Sequence, residues 1–305
     1  MQGSRPSVRG FYWRENQLVG NLGDALAPIL LDALGYELSP RTRPDATVLN
    51  PGRCLIVIGS LLNDYDLPPL GPSIDVWGCG WKGIYPSRAT LATLRIHAVR
   101  GPHTIARLGL PAGTPLGDPV LLLPRLTMRL ISPHGRTVVV PHISRARLLP
   151  ASQRRRLTGC DELVSPHVIQ TQRLGRAGWL RSVLGLGKTW LRQGQPPRTP
   201  WSAVERIAGA DFVLTGSLHG AILAQAYGVP WSAYHDGYID HPAKWLDWAA
   251  FLGIELEFVS TLAEGRQWWQ SKGRRGAIRD LAPLLNAFPY PLRNDVWQRF
   301  NRRFD

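Results

Sequence analysis

Residues Asp211 to Trp231 read DFVLTGSLHGAILAQAYGVPW. A short run of Phe, Val and Leu without polar alternation is the pattern of a strand buried on both faces. It delivers TGSLHG and passes directly into a helical pattern from His219 to Tyr227, which Gly228 and Pro230 stop. In open α/β sheets ligands bind at such a junction, because the first N–H groups of the helix lack partners within it and face an anion. His219 stands in this turn between Gly216 and Gly220, beside Ser217 and Leu218. A histidine here either caps the helix and fills the core or acts on a ligand. The bracketing glycines, which permit close approach to the backbone, favour the second reading.

Upstream, apolar strand patterns recur as CLIVIGS at 54–60, DVWGCG at 75–80, IHAVRG at 96–101 and TVVVPH at 137–142. Helical patterns at 24–34, 102–108 and 201–208 alternate with them, which predicts an α/β fold. With 305 residues, 44% of them hydrophobic, and 12 Trp, the chain has material for two cores. A polar, Pro-containing stretch at 125–136 sets the expected boundary between a domain at 1–130 and one at 131–270. Residues 165–200, rich in Gly, Arg and Pro, break the alternation and read as an insertion. Two helical stretches, 266–288 and 294–304, close the chain, and the segment 271–305 is expected to pack back onto the first domain.

Two further strand-to-helix junctions carry polar groups. In IHAVRGPHTIARLGL, Arg100 ends a strand and Pro102 suits the first helical turn, so the guanidinium offers a planar fork to carboxylate or phosphate. The alternative is one more surface Arg; Arg154, in SQRRRL, reads as such an exposed residue. Asp118 follows in GDPVLLLP, as a turn residue or as a group that orients an Arg or a sugar hydroxyl. In VGNLGDALAPILLDALG, Asn21, Gly23 and Asp24 open an amphipathic helix and serve either as caps or as ligand contacts. Gly59 and Ser60 in GSLLND, His142 in the PHIS turn, and His235, Asp236 and Lys244 in HDGYIDHPAKW are weaker candidates. His235 and His241 share no ligand spacing with a third residue, so no metal is expected.

The formal net charge is +14, overwhelmingly from Arg, and predicts anionic partners. No zinc finger, helix-turn-helix or aromatic RNA-binding motif accompanies it, which argues against nucleic acid. Cys54, Cys79 and Cys160 are too few and too scattered for a disulfide framework, which points to the cytosol. No apolar run approaches the roughly 18 residues of a bilayer span. Membrane contact is therefore expected to be peripheral. At 173–192, Trp179, Val183, Leu186 and Trp190 fall at helical spacing among Arg176, Arg181, Lys188 and Arg192. Such a stripe either lies in an anionic membrane interface, at roughly 1 kcal/mol for each basic residue, or packs its Trp residues on the second domain.

In order along the chain stand N-x-GD, GS followed by D-VWG-x-G, VRGP-x-T with a later GDP, an apolar strand ending in PH, and S-LHG-x-I-A-AYG-P. Together they resemble the polysaccharide pyruvyltransferase family, in particular the ketal pyruvyltransferases of xanthan-type exopolysaccharide assembly. The match runs from Asn21 to Lys244 and skips 165–200. Thr215 and Gly216 stand where many relatives carry Ser-Ser. The resemblance implies a GT-B-like fold, two Rossmann-like domains facing a cleft. It implies phosphoenolpyruvate as donor, no separate cofactor, and a lipid-linked oligosaccharide or other glycan precursor as acceptor at the inner face of the membrane. His219 matches the family's essential histidine, Arg100 its phosphoenolpyruvate-binding arginine, and Lys244 a substrate contact. Asn21, Gly23, Asp24, Gly59 and Ser60 would face the acceptor. The competing readings are a GT-B glycosyltransferase using a nucleotide sugar, and a non-catalytic binding protein of the same fold.

Overall fold

The computed structural model describes residues 6–12, 19–40, 48–49, 52–67, 73–146, 148–169 and 198–302. The chain opens with β1 (Ser7–Phe11), β2 (Val19–Asn21) and helix α1 (Leu22–Ala33). Then come β3 (Glu37–Pro40), β4 (Val48–Leu49), β5 (Cys54–Ile56), β6 (Ile74–Cys79), the short α2 (Arg88–Leu91) and β7 (Leu94–Val99). Five of these strands form a sheet in the order β3-β1-β5-β6-β7, with β4 also paired to β1. Every pairing in it is parallel. Burial of β5 and β6 along their whole length accounts for their largely apolar sequence, with Asp75 in β6 paired to Arg53 and His97. Helix α3 (Pro102–Leu108), a 3-10 turn at Pro119–Leu122 and α4 (Leu123–Thr127) follow.

The second sheet has the order β13-β12-β11-β8-β9 and is also parallel. Its elements are β8 (Thr137–Val140), α5 (Ala151–Thr158), β9 (Glu162–Leu163), α6 (Pro200–Ala208), β11 (Phe212–Thr215), α7 (Leu218–Ala226), β12 (Trp231–Tyr234), α8 (Pro242–Leu252) and β13 (Phe258–Val259). Two parallel sheets flanked by helices make the architecture Rossmann-like α/β. Between them, β10 (His167–Ile169) pairs antiparallel with β2, so a strand that follows β9 binds the entry to α1.

The chain ends in α9 (Leu262–Ser271), α10 (Ala282–Asn286) and α11 (Asn294–Asn301). The last two lie against elements of the first sheet. The Trp77 indole N–H donates to the Leu284 carbonyl at 2.8 Å, and Phe288 meets the Trp77 ring edge-on at 4.8 Å. The Tyr36 hydroxyl donates to the carbonyl of Pro291. Arg299 donates to the carbonyls of Leu126 at 2.6 Å and Ala33 at 2.8 Å.

Three expectations are corrected, and one strand is added. The strand at 54–60 stops at Ile56, and the chain turns at Gly59, whose φ is +106°. The helix expected at 266–288 breaks into α9 and α10; just after α9, Gly273 packs so close to Trp268 that a Cβ would lie 2.6 Å from the indole. The strand β1 was not legible, since Arg9 and Gly10 interrupt any apolar run. Arg154 is fully buried rather than exposed: its guanidinium donates to Asp236 at 3.0 Å and to the Arg145 carbonyl at 2.9 Å. The basic aromatic stretch at 173–192 lies outside the described residues. Among the described residues no helix is long and apolar enough to cross a membrane.

Candidate active site

A pocket of about 330 Å³ is lined from both sheets: Asn21 and Asp24 at the start of α1, Gly59 to Leu61 after β5, Asp66, and Lys82 after β6. Facing these are His142 and Ile143 after β8, Ser217 to His219 at the start of α7, and Asp240, His241 and Lys244 around the start of α8. The wall is thus assembled largely beyond the carboxyl ends of parallel strands, where sheet topology leaves a crevice.

His219 is the second residue of α7 and is buried. The preceding turn is locked by Thr215, whose hydroxyl accepts from the Ser217 N–H at 3.0 Å and donates to the Ser217 carbonyl at 2.8 Å. Gly23 lets the imidazole fit against α1, since a Cβ there would lie 2.0 Å from Nδ1 of His219. On the other side, Nε2 lies 3.6 Å from Oδ2 of Asp118, and neither atom has a hydrogen-bond partner among the described residues. Asp118 is fully buried and held by its other oxygen, which accepts from the Val120 N–H at 3.0 Å.

Asp24 brings a carboxylate into the same wall. Burial raises its pKa above the usual carboxylate value, partly offset by the nearby charge of His219 and the hydrogen bond from Asn21. That bond, from Nδ2 of Asn21 at 2.7 Å, replaces the capping role weighed for Asn21, whose side chain makes no cap hydrogen bond. Lys244 is ion-paired with Asp240. Burial lowers the Lys244 pKa against the upward pull of Asp240. Burial alone would raise the Asp240 carboxyl, but the hydrogen bond from His142 and the charge of Lys244 hold it far below the usual range. Across the pocket Lys82 pairs with Asp66 at 2.9 Å.

Arg100 is close to the pocket but not part of its lining. It is fully buried, with Nη1 donating to the Gly59 carbonyl and Nη2 to the Trp81 carbonyl, each at 3.4 Å. Its Nε lies 3.8 Å from Asp247, a residue of α8 that also accepts from the Thr104 N–H at 3.0 Å and from its hydroxyl at 2.7 Å. Gly220 and Gly216 face protein rather than open space. A Cβ at Gly220 would lie 2.4 Å from the Thr215 hydroxyl, and one at Gly216 3.1 Å from the His142 N–H. His235 and Asp236 also stay out of the lining, Asp236 being engaged by Arg145 and Arg154.

Sequence reading passed over Asp66, Lys82 and Asp240. Asp240 precedes His241, a non-glycine residue whose φ of +45° only the structure reveals; such strain gathers at functional sites. Among the described residues no group of three or more His, Cys, Asp or Glu side chains is placed to hold a metal.

A family model described as polysaccharide pyruvyl transferase matches residues 21–234. The succinoglycan biosynthesis protein ExoV of Rhizobium meliloti (strain 1021) is 25% identical over 279 residues, spanning 86% of this chain and 73% of that protein. A crystal structure of an uncharacterised protein from Klebsiella pneumoniae subsp. pneumoniae NTUH-K2044 superposes with a TM-score of 0.41 at 10% identity, over 84% of this chain and 93% of that one.

Proposed function

The chain belongs to the polysaccharide pyruvyl transferase family, and we propose that it transfers the pyruvyl group of phosphoenolpyruvate as a ketal onto a sugar of an exopolysaccharide precursor at the inner face of the membrane. The reaction needs a proton on the methylene carbon, stabilisation of the cationic central carbon, and departure of phosphate. One sugar hydroxyl adds to the central carbon and loses its proton, the carbon–oxygen bond to phosphate breaks, and a second hydroxyl of the same sugar adds and loses its proton. The two protons lost balance the one gained by the new methyl group and the one carried off by phosphate.

The observation that carries this reading is the setting of His219. Histidine changes charge near neutral pH and suits proton transfer to carbon. The buried Asp118 carboxylate, 3.6 Å from Nε2, holds the ring in orientation and balances its positive charge. Asp24, in the same wall, takes the proton of the first hydroxyl. Lys82 and Lys244 receive the donor's carboxylate and phosphate. Arg100 acts from behind the wall, through its bond to the Gly59 carbonyl, rather than as a direct contact.

Incubation with phosphoenolpyruvate and lipid-linked oligosaccharide extracted from a polysaccharide-producing bacterium tests this, with phosphate release as readout. Protection from thermal unfolding by phosphoenolpyruvate and not by nucleotide sugars separates it from a glycosyltransferase.

A further inference from the structure

Among the described residues seven large hydrophobic side chains are exposed; four are Leu, and the aromatic ones are Tyr65, Tyr85 and Tyr238, at 79%, 54% and 40%. Each lies within three residues of a wall residue along the chain: Tyr65 beside Asp66, Tyr85 after Lys82 and Tyr238 before Asp240. Tyr65 is presented by a turn built on the fully buried Asn63, whose side-chain oxygen accepts from the Tyr65 N–H at 2.9 Å and the Asp66 N–H at 3.1 Å. Asp66 itself lines the pocket. Tyr85 follows the wall residue Lys82, and its ring lies 5.4 Å from that of Trp81. The intervening Gly83 lies beside Ala243, where a Cβ would be 3.5 Å away, next to Lys244. On the facing side the Tyr238 hydroxyl donates to Oδ1 of Asp240 at 3.0 Å, and its ring lies 5.7 Å from His142. Both of those partners are wall residues.

We propose that Tyr65, Tyr85 and Tyr238 form an aromatic rim that binds pyranose units of an oligosaccharide chain, positioning the sugar to be modified over the pocket. Aromatic side chains with a few placed polar groups are the usual surroundings of a ligand cleft, and the side chains present identify the occupant. A pyranose has an apolar C–H face and a polar edge. It matches a ring with an apolar body and a polar tip, with Asp66 and Asp240 beside the rings to accept sugar hydroxyls. A protein partner would call for a contiguous apolar patch. Here single rings stand apart among carboxylates and cations. The proposal rests on the reading of the pocket as the site of a glycan-modifying transferase, and it adds the segment of acceptor next to the reacting sugar.

Ligand-observed NMR and calorimetry with succinoglycan oligosaccharides, cellohexaose and maltohexaose, glucose serving as the monosaccharide control, test the rim. At least one oligosaccharide is expected to bind wild type more tightly than glucose. Replacing Tyr65, Tyr85 and Tyr238 together by Ala should weaken that binding at least tenfold, a change of about 1.4 kcal/mol. The triple Tyr→Phe variant should retain it, and all three side chains are exposed enough for the fold to survive. Absence of oligosaccharide binding to wild type, or equal binding by the Ala variant, overturns the proposal. Thermal protection by phosphoenolpyruvate is read in parallel. Its absence alongside Tyr-dependent saccharide binding counts against the transfer reaction and not the rim.

Discussion

Nε2 of His219 and Oδ2 of Asp118 face each other at 3.6 Å, both buried and, among the described residues, neither hydrogen-bonded to another group. Unsatisfied buried polar atoms are costly, and this juxtaposition brings the chain's GDP turn against its LHG helix. Asp118→Asn keeps the acceptor for the Val120 N–H and removes the charge. Expected are a folded protein and turnover lowered about 100-fold or more, with little change in the phosphoenolpyruvate KM. Parallel kinetics and thermal unfolding check this; unchanged turnover would leave Asp118 a structural residue.

Gly23→Ala should displace the same imidazole from the α1 side, because the new Cβ would lie 2.0 Å from Nδ1 and 2.3 Å from the next ring atom. Overpacking of this kind costs about 1–3 kcal/mol. Chemical denaturation should show that loss together with loss of turnover. A fully active Gly23→Ala enzyme would mean the ring position is immaterial.

Asp24 gives a pH signature. Its folded pKa is raised above the unfolded value of 3.8, chiefly by burial, so the folded state binds the extra proton in the window above 3.8. Stability present below that value is then lost as pH rises through the raised folded pKa. Asp24→Asn should remove this dependence, making the protein more stable than wild type at neutral pH while abolishing transfer. Denaturation midpoints of the two proteins across the acid range decide it. Curves separated by the same amount at every pH would show no buried ionisation at Asp24.

Arg100→Lys should be damaging although the charge is kept, because one ammonium cannot reach the carbonyls of both Gly59 and Trp81. Lost hydrogen bonds in a buried site cost about 1–3 kcal/mol. The exposed Arg156, changed to Lys, should be silent. Equal stability and equal activity for the two variants would assign Arg100 no special position.

Much of the fold was legible because parallel strands are buried on both faces. The runs ending at Val140 and Thr215 are uncharged and buried throughout, those ending at Cys79 and Val99 are apolar apart from Asp75, Arg95 and His97, and Gly228 with Pro230 marked the end of α7 correctly. Half of the site was legible for a related reason: Asn21, Asp24, Gly59, Ser60 and the TGSLHG turn sit where strands give way to helices. Asp66, Lys82 and Asp240 lie in irregular segments that converge on the pocket only in the folded chain, so no local spacing announced them. A glycine in sequence implies close approach but not of what. At Gly23 and Gly220 the approaching groups are His219 and Thr215. Arg100 and Arg154 were hidden similarly, since burial of an Arg depends on distant carboxylates and carbonyls.

The most direct test of the central claim is transfer in deuterated water, with phosphoenolpyruvate and lipid-linked oligosaccharide, comparing wild type with His219→Ala. Wild type should release phosphate and yield a pyruvylated glycan whose new methyl group carries solvent deuterium. The His219→Ala variant should still be protected from unfolding by phosphoenolpyruvate yet release no phosphate. Undiminished transfer by the variant, or no phosphate release by wild type with acceptor present, would contradict the account.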